Sequence, residues 1–161
     1  MSHGPFTAEL SAERRLFNPG KAPVRISHNL PDWPANLECV KHDTVWKILL
    51  PGSETLAASI CKIKRPGWLA WLLSLHEFRL TEESREIARV VECVSVLTLL
   101  IGDESVCTVC YGRETFFSAG LSWQFAHQPQ KACYLTAETP CQLRAAILAG
   151  LVLWENCLFS A

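Results

Sequence analysis

Three cysteines and one histidine in the C-terminal half have the residue types and the spacing of a zinc site. Cys107 and Cys110 are separated by two residues, and His127 and Cys133 follow to give C-x2-C-x16-H-x5-C. Thiolate sulfur and imidazole nitrogen are the donors of tetrahedral structural zinc sites, which use closely spaced cysteine pairs of this kind. The pattern therefore predicts one zinc ion bound by these four residues.

The zinc hypothesis depends on the backbone around the cysteine pair. A chelating pair needs a turn, whereas Ser105 to Tyr111 has the composition of a strand, on which positions three apart face opposite sides. If the segment is a strand, the zinc site fails and the thiols are buried structural residues, a common role of free cysteine. Both alternatives stay open at this point. Apart from zinc, the sequence predicts no cofactor.

No other pattern indicates catalysis. The sequence has neither a phosphate-binding glycine loop nor a dinucleotide-binding glycine pattern, and the segment Gly120–Trp123 lacks the second glycine of a nucleophile elbow. No histidine lies in a local sequence motif that would pair it, as a general base, with a nucleophilic cysteine or serine. We therefore expect a protein that is not an enzyme.

Trp33 is a candidate contact residue for a partner. It stands between Asp32 and Pro34 in a segment without periodicity, so it has no obvious place in a core. An aromatic side chain on a stiff, proline-bounded loop loses little entropy on binding and can anchor an interface. The alternative is that Trp33 pins the N-terminal segment to the domain.

A basic cluster is the second candidate contact site. Lys62, Lys64 and Arg65 immediately precede Trp68 and Trp71, and such a combination can hold phosphate and stack a base. There is a simpler interpretation. Three charged residues before a helix are also typical of an ordinary solvent-exposed loop, and tryptophans at helical spacing are also typical of a protein core. We expect Lys62, Lys64 and Arg65 to form an exposed loop and both tryptophans to be largely buried.

The charge and hydrophobic content favour a protein partner over nucleic acid. The 161 residues carry a net charge of -1, so no overall field draws the chain to a polyanion. Hydrophobic residues make up 49% and charged residues only 19%, which predicts a dense core or an adhesive surface. Small residues four apart at Ala146 and Gly150 permit close helix approach, either in a homodimer or, more simply, inside the domain.

The location expected from the sequence is the cytoplasm. The N-terminal residues have neither a basic region nor an apolar one of the kind found in secretory signals, so we expect the eight cysteines to be reduced. No apolar run reaches the roughly 18 residues needed to span a bilayer. The sequence therefore predicts no membrane span.

The pattern of elements predicts an α+β fold in one domain, 35–161, preceded by a proline-rich N-terminal arm, 1–34. Within the arm, the composition suggests a short helix over 8–17 and an edge strand over 24–27. Aromatic and leucine residues at helical spacing predict a core helix over Pro66–Phe78, and Thr81 with the acidic residues after it predicts a second helix ending near Glu92. An antiparallel meander follows from Val94 to Ala137; its first two strands form a hairpin across Gly102-Asp103-Glu104, and its last strand covers 132–137. A closing helix capped by Thr139 has little polar face and packs on the sheet. A rival interpretation of 82–101 is a single helix.

The last third of the chain, a short meander followed by Glu138-Thr139-Pro140 and an apolar helix, resembles small phage and mobile-element domains. The resemblance implies no role for individual residues. Taken together, the sequence predicts a small non-enzymatic protein that binds a macromolecular partner, as an inhibitor, adaptor or regulator. The alternatives are a zinc-binding protein and a nucleic-acid-binding regulator, which would use the cysteine site or the basic cluster described above.

Overall fold

The computed structural model describes residues 5–12, 24–42, 45–50, 56–64, 67–72, 75–93, 96–110, 115–118, 121–126 and 132–154. Within these ranges the chain forms 12 strands and two helices. The strands are β1 (Phe6–Ala12), β2 (Val24–His28), β3 (Asn36–His42), β4 (Val45–Leu49), β5 (Leu56–Lys64), β6 (His76–Glu82), β7 (Arg85–Cys93), β8 (Val96–Ile101), β9 (Glu104–Cys110), β10 (Thr115–Ser118), β11 (Leu121–Ala126) and β12 (Ala132–Ala137). The helices are α1 (Trp68–Leu72) and α2 (Pro140–Leu153).

All of the described strands belong to one antiparallel sheet. Its order is β10-β11-β12-β1-β2-β3-β4-β5-β6-β7-β8-β9, so nearly every strand lies beside its neighbour in the sequence. The order breaks at two places: β9 and β10 follow each other in the sequence but lie at opposite edges, and β1 pairs with β12 as well as with β2. Leu10 accordingly lies opposite both Cys133 and Ile26. This pairing brings the first and last described strands together in the middle of the sheet.

The sheet curls around α2. The helix contacts β11, β12 and β1 on one side and β6, β7 and β8 on the other, although these two sets lie far apart in the strand order. The two edge strands, β10 and β9, also approach each other. A flat sheet could not make these contacts, so the strands must roll into a layer that encloses the helix.

The composition of α2 explains why it is enclosed. Ten of its 14 residues are buried, and they are spread around the whole circumference of the helix. A helix that is apolar on every face must be surrounded by protein, because water would contact any side left open. The helix begins where the sequence predicts: Thr139 accepts a hydrogen bond from the Gln142 N–H at 3.2 Å, and Pro140 occupies the first turn.

Two contacts fix how closely α2 approaches the sheet. A Cβ added to Gly150 would lie 3.2 Å from Leu10 and 3.3 Å from Leu135, so the absence of a side chain lets the helix approach β1 and β12. One turn earlier, the Trp123 indole N–H donates to the Ala146 carbonyl at 2.9 Å. The small residues Ala146 and Gly150 therefore serve packing inside the domain, the simpler of the two predicted uses.

The strands show the alternation expected when one face covers a core. Inward positions such as Ile48, Ile60, Leu80 and Val90 are fully buried, whereas their neighbours in the sequence are more exposed. The predicted hairpin of β8 and β9 is confirmed, with Gly102 in its turn at a φ of +64°. The strand predicted over 132–137 is confirmed with the same bounds.

The predicted α+β fold class is wrong, because the chain is mostly antiparallel sheet with one long helix at its C-terminal end. The helix predicted over Pro66–Phe78 is reduced to the five residues of α1, and Phe78 lies buried in β6. The helix predicted from Thr81 to Glu92 is the β6–β7 hairpin. Its turn residues Glu83 and Ser84 have φ values of 51° and 64°, the left-handed conformations that a tight two-residue hairpin turn requires.

The predicted N-terminal arm contains two strands of the sheet. The short helix suggested by the composition of 8–17 is wrong where the structure describes it, because Phe6–Ala12 is β1. The edge strand suggested over 24–27 is β2, which lies inside the sheet between β1 and β3. In the part of the chain described here, neither helix has the length and apolar composition that crossing a membrane requires.

We predict that Trp123→Phe lowers the free energy of unfolding by about 2 kcal/mol or more. The change removes the hydrogen bond to the Ala146 carbonyl and leaves unfilled volume between the sheet and α2. Urea unfolding of the two proteins measures the difference. The same substitution at the exposed Trp68 is the matched control, and we expect it to stay within about 0.5 kcal/mol. Equal effects at the two positions would contradict the enclosed packing of Trp123.

Candidate functional site

The strongest candidate for a binding surface is α1. Trp68, Leu69 and Leu72 expose 72%, 53% and 61% of their surface, and we call these three residues the α1 patch. Among the described residues, the other large hydrophobic side chains with comparable exposure are Ile63 and Tyr134, at 37% and 47%. Ile63 stands on β5, the strand that leads to α1. Exposed apolar surface is therefore concentrated in one short part of the chain.

The position of α1 follows from the β5–β6 hairpin. The two strands pair as far as Lys64 and His76, so α1 lies in the connection beyond their last pair. Gly67 precedes the helix with a φ of +109°, a conformation that residues with a side chain rarely adopt. Among the described residues, α1 makes no extensive contact with any other element, in contrast to α2. The patch is thus presented at the end of a hairpin.

The predicted basic cluster precedes this patch in the sequence. Lys62 and Lys64 belong to β5 and not to a loop, whereas Arg65 lies outside the described residues. The Lys62 ammonium lies 5.7 Å from the centre of the buried Phe78 ring, so its stem packs at the rim of the core. Trp68, which the sequence analysis expected to be largely buried, is the most exposed large hydrophobic residue of the described chain.

Leu69 and Leu72 were not among the residues predicted from the sequence to meet a partner. Helical spacing assigned Trp68 and Leu72 to a core face, because periodicity does not show which side of a helix meets the protein. The signal that could have identified the patch is its composition. Three basic residues are followed within seven positions by two tryptophans and two leucines, with no acidic residue between Glu54 and Glu77.

Trp33, predicted as an anchor or as a pin, is buried. It is 5% exposed and lies edge-on to the His28 ring, with 5.8 Å between the ring centres. The Arg144 guanidinium lies 5.6 Å from the centre of the indole and pairs with Asp32 at 3.2 Å. Because Arg144 belongs to α2, these contacts fasten the β2–β3 connection to the start of that helix. The burial supports the role of a pin.

His28 is held in one neutral form by two hydrogen bonds. Its Nε2–H donates to the Pro34 carbonyl at 2.7 Å, and its Nδ1 accepts from the Leu30 N–H at 2.9 Å. Burial lowers the pKa of His28; the hydrogen bond to Pro34 acts in the opposite direction, and the nearby Arg144 charge lowers the pKa further. Protonation would place a hydrogen on Nδ1 and break the bond from Leu30.

The four residues of the predicted zinc site are only partly described. Cys107 and Cys110 lie on β9, the strand geometry under which the zinc site was expected to fail, and their side chains and His127 lie outside the described part. Cys133 is fully buried, and burial raises the pKa of its thiol, although a hydrogen bond with the Gln124 backbone opposes the rise. The described residues contain no group of three or more potential ligands. The zinc site stays a prediction that metal analysis of the protein can test.

The one buried charged side chain among the described residues is Glu77, on the outer face of β6. It lies 3.2 Å from Arg89 and 3.5 Å from Arg79. Arg89 also pairs with Glu86 at 3.0 Å and with Asp103 at 3.6 Å, so the cluster joins β6, β7 and the β8–β9 turn. The opposite charges attract one another and link two strands to a turn, which suits a structural role.

Comparison of the chain with protein-family models, with curated proteins and with the solved structures finds no match. Function therefore has to be argued from the surfaces described above.

We predict that protonation of His28 lowers stability as the pH falls below about 6.5, the usual pKa of histidine. Because the folded-state pKa is lowered, the unfolded state takes up the proton first and is favoured below that pH. Urea unfolding at pH 7.5 and pH 5.5 should show a smaller loss for His28→Gln than for the unchanged protein. An equal loss in both proteins would contradict this role of His28.

We predict that the described cysteines react with iodoacetamide in the order of their exposure. Cys141 is exposed, whereas Cys39 and Cys133 are buried. Buried thiols react only after opening of the fold, so we expect Cys133 to be alkylated about a thousandfold more slowly than Cys141. Peptide mapping by mass spectrometry gives both rates, and labelling in urea is the control that makes them equal. Comparable rates in the folded protein would contradict the enclosed position of β12.

Proposed function

We propose that this protein is a non-enzymatic binding protein, an adaptor, inhibitor or regulator, and that the α1 patch is its contact surface. The observation that carries the proposal is the exposure of Trp68, Leu69 and Leu72 on a helix that packs extensively against no other described element. Water-exposed apolar surface of this kind is unfavourable unless something covers it. A second molecule or surface is the natural cover, because the interior is already filled by α2.

Two features support a binding role over catalysis. The interior of the curled sheet is occupied by apolar side chains of α2. The buried carboxylate of Glu77 is paired with two arginines, as in a structural ion pair. Both features suit a scaffold that presents a surface.

The cysteines support a reducing compartment as the place of action. Cys39, Cys61, Cys93, Cys133 and Cys141 are free thiols. Disulfides form in oxidising compartments, and a chain with several unpaired cysteines suits the cytoplasm. We propose the cytoplasm as its location.

The test is the size distribution of the protein in an extract of its native cell. We expect the unchanged protein to sediment as part of an assembly much larger than 18.0 kDa. The triple variant Trp68→Ser, Leu69→Ser and Leu72→Ser should sediment as a free chain, because the patch is removed. Surface changes of this kind alter stability by about 0.5 kcal/mol or less each, so the variant should melt at nearly the same temperature.

Tyr134→Ser is the matched control, because it removes an exposed aromatic side chain from β12, away from α1. It should sediment like the unchanged protein. The proposal is wrong if the unchanged protein sediments as a free chain, or if the triple variant stays in the large assembly.

A further inference from the structure

We propose that the α1 patch docks on the surface of an anionic lipid bilayer, with Trp68, Leu69 and Leu72 entering the interface and the basic residues that precede α1 in the sequence adding electrostatic attraction to the headgroups. This inference rests on the proposed function and names what covers the patch. It concerns attachment to one leaflet and involves no crossing of the membrane.

The side chains of the patch are those that partition into a membrane interface. Tryptophan is enriched at the headgroup level, where its ring is amphipathic, and leucine is among the most favourable residues in the acyl region. Trp68 and the two leucines combine both properties on one turn of helix. Because α1 lies beyond the last β5–β6 pair, it can reach a flat surface before the sheet does.

The charge around the patch is complementary to an anionic surface. The 22 residues from Thr55 to His76 contain Lys62, Lys64 and Arg65 and no acidic residue. This segment therefore carries +3, which leaves -4 for the rest of a chain whose net charge is -1. In the sequence, the positive charge therefore lies just before Trp68. Two acidic residues stand at the same end of the sheet: Glu77 is paired with Arg79 and Arg89, and Glu92 lies 3.9 Å from His76. Basic residues near a bilayer with anionic lipids are attracted within about one Debye length.

The size of α1 also suits a membrane better than a protein partner. A stable protein interface uses about 20–30 residues on each side. Three exposed apolar residues are a small part of such an area, and the same argument applies to a dimer of this chain. A bilayer needs only a few side chains because it adapts to their shape.

The experiment is co-sedimentation of the purified chain with vesicles. Vesicles of phosphatidylcholine with phosphatidylserine as about one lipid in three should bind the unchanged protein, and vesicles of phosphatidylcholine alone should bind it much more weakly. The triple serine variant of the α1 patch should lose about a hundredfold or more in partitioning, because its apolar insertion is gone. Raising the ionic strength to about 1 M should release the unchanged protein.

A second variant tests the charge separately. Lys62→Gln with Lys64→Gln should lower partitioning onto the anionic vesicles about 20-fold, at about fivefold for each basic residue, and should weaken the salt dependence. Arg85→Gln is the matched control. It also removes an exposed positive charge, but it lies at the other end of β6, one strand length of roughly 20 Å from α1. We expect it to bind nearly as well as the unchanged protein.

Tryptophan fluorescence supplies a readout that is independent of sedimentation. The emission should shift to the blue when anionic vesicles are added, and Trp68→Phe should lose most of this shift while it still binds, because Trp68 is the indole that leaves water. A shift of the same size in Trp68→Phe would contradict insertion at α1.

The inference is overturned if the unchanged protein ignores anionic vesicles, if the triple serine variant binds them equally well, or if ultracentrifugation shows a dimer that the triple variant abolishes. In the first case, an assembly in cell extract that still depends on the α1 patch would mean that a protein covers the patch. The proposed function would then stand without the membrane. If the protein neither binds anionic vesicles nor forms an assembly in cell extract that depends on the α1 patch, both proposals are rejected.

Discussion

The enclosure of α2 by the curled sheet is the constraint from which the rest of the structure follows. A helix with no polar face has no stable place on a protein surface, because any exposed side would lose the favourable transfer of its side chains from water. The strands solve this by covering it from two directions, β11, β12 and β1 on one side and β6, β7 and β8 on the other. Neither set alone surrounds the helix. The two halves of the sheet are therefore joined through α2 as well as through the strands between them, and removal of the helix would leave both inner faces uncovered.

Enclosure also decides where this chain can interact with anything else. The inner face of the sheet packs against α2, where a Cβ added to Gly150 would already lie 3.2 Å from Leu10 and 3.3 Å from Leu135. Trp68, Leu69 and Leu72 do not take part in this core. They are left on α1, outside the sheet, where a change of sequence costs the fold little. Such a position suits residues chosen for contact, because their chemistry is independent of the packing that sets the stability of the domain.

The sequence was most informative where the local pattern and the final environment agree. Thr139 and Pro140 predict the start of α2, and the lack of a polar face predicts that the helix is buried. Both features are found in the structure. The β8–β9 hairpin was found because a glycine turn separates two apolar runs. Over 76–92 the local pattern and the final structure disagree. Thr81 and the acidic residues after it are the local signal of a helix start, but the segment instead forms strands, because β6 pairs with both β5 and β7. Local propensity is a weak influence compared with many long-range contacts. The same limit applies to two tryptophans. Trp33 is buried because it packs against Arg144, a residue distant in the sequence. Trp68 is exposed because α1 lies beyond the end of the β5–β6 pairing.

The composition of α1 is informative because the fold does not require it. A connection between two antiparallel strands can be made from a few polar residues and glycine, and polar residues at these positions would avoid exposing tryptophan and leucine to water. Core residues such as Leu80 are explained by the packing around them, whereas Trp68, Leu69 and Leu72 have no such explanation within the described chain. Exposed apolar side chains lower solubility, and a contact that covers them offsets this cost. In the membrane contact proposed above, the lysines that precede α1 in the sequence add attraction to anionic headgroups, an attraction that an uncharged apolar groove would not provide.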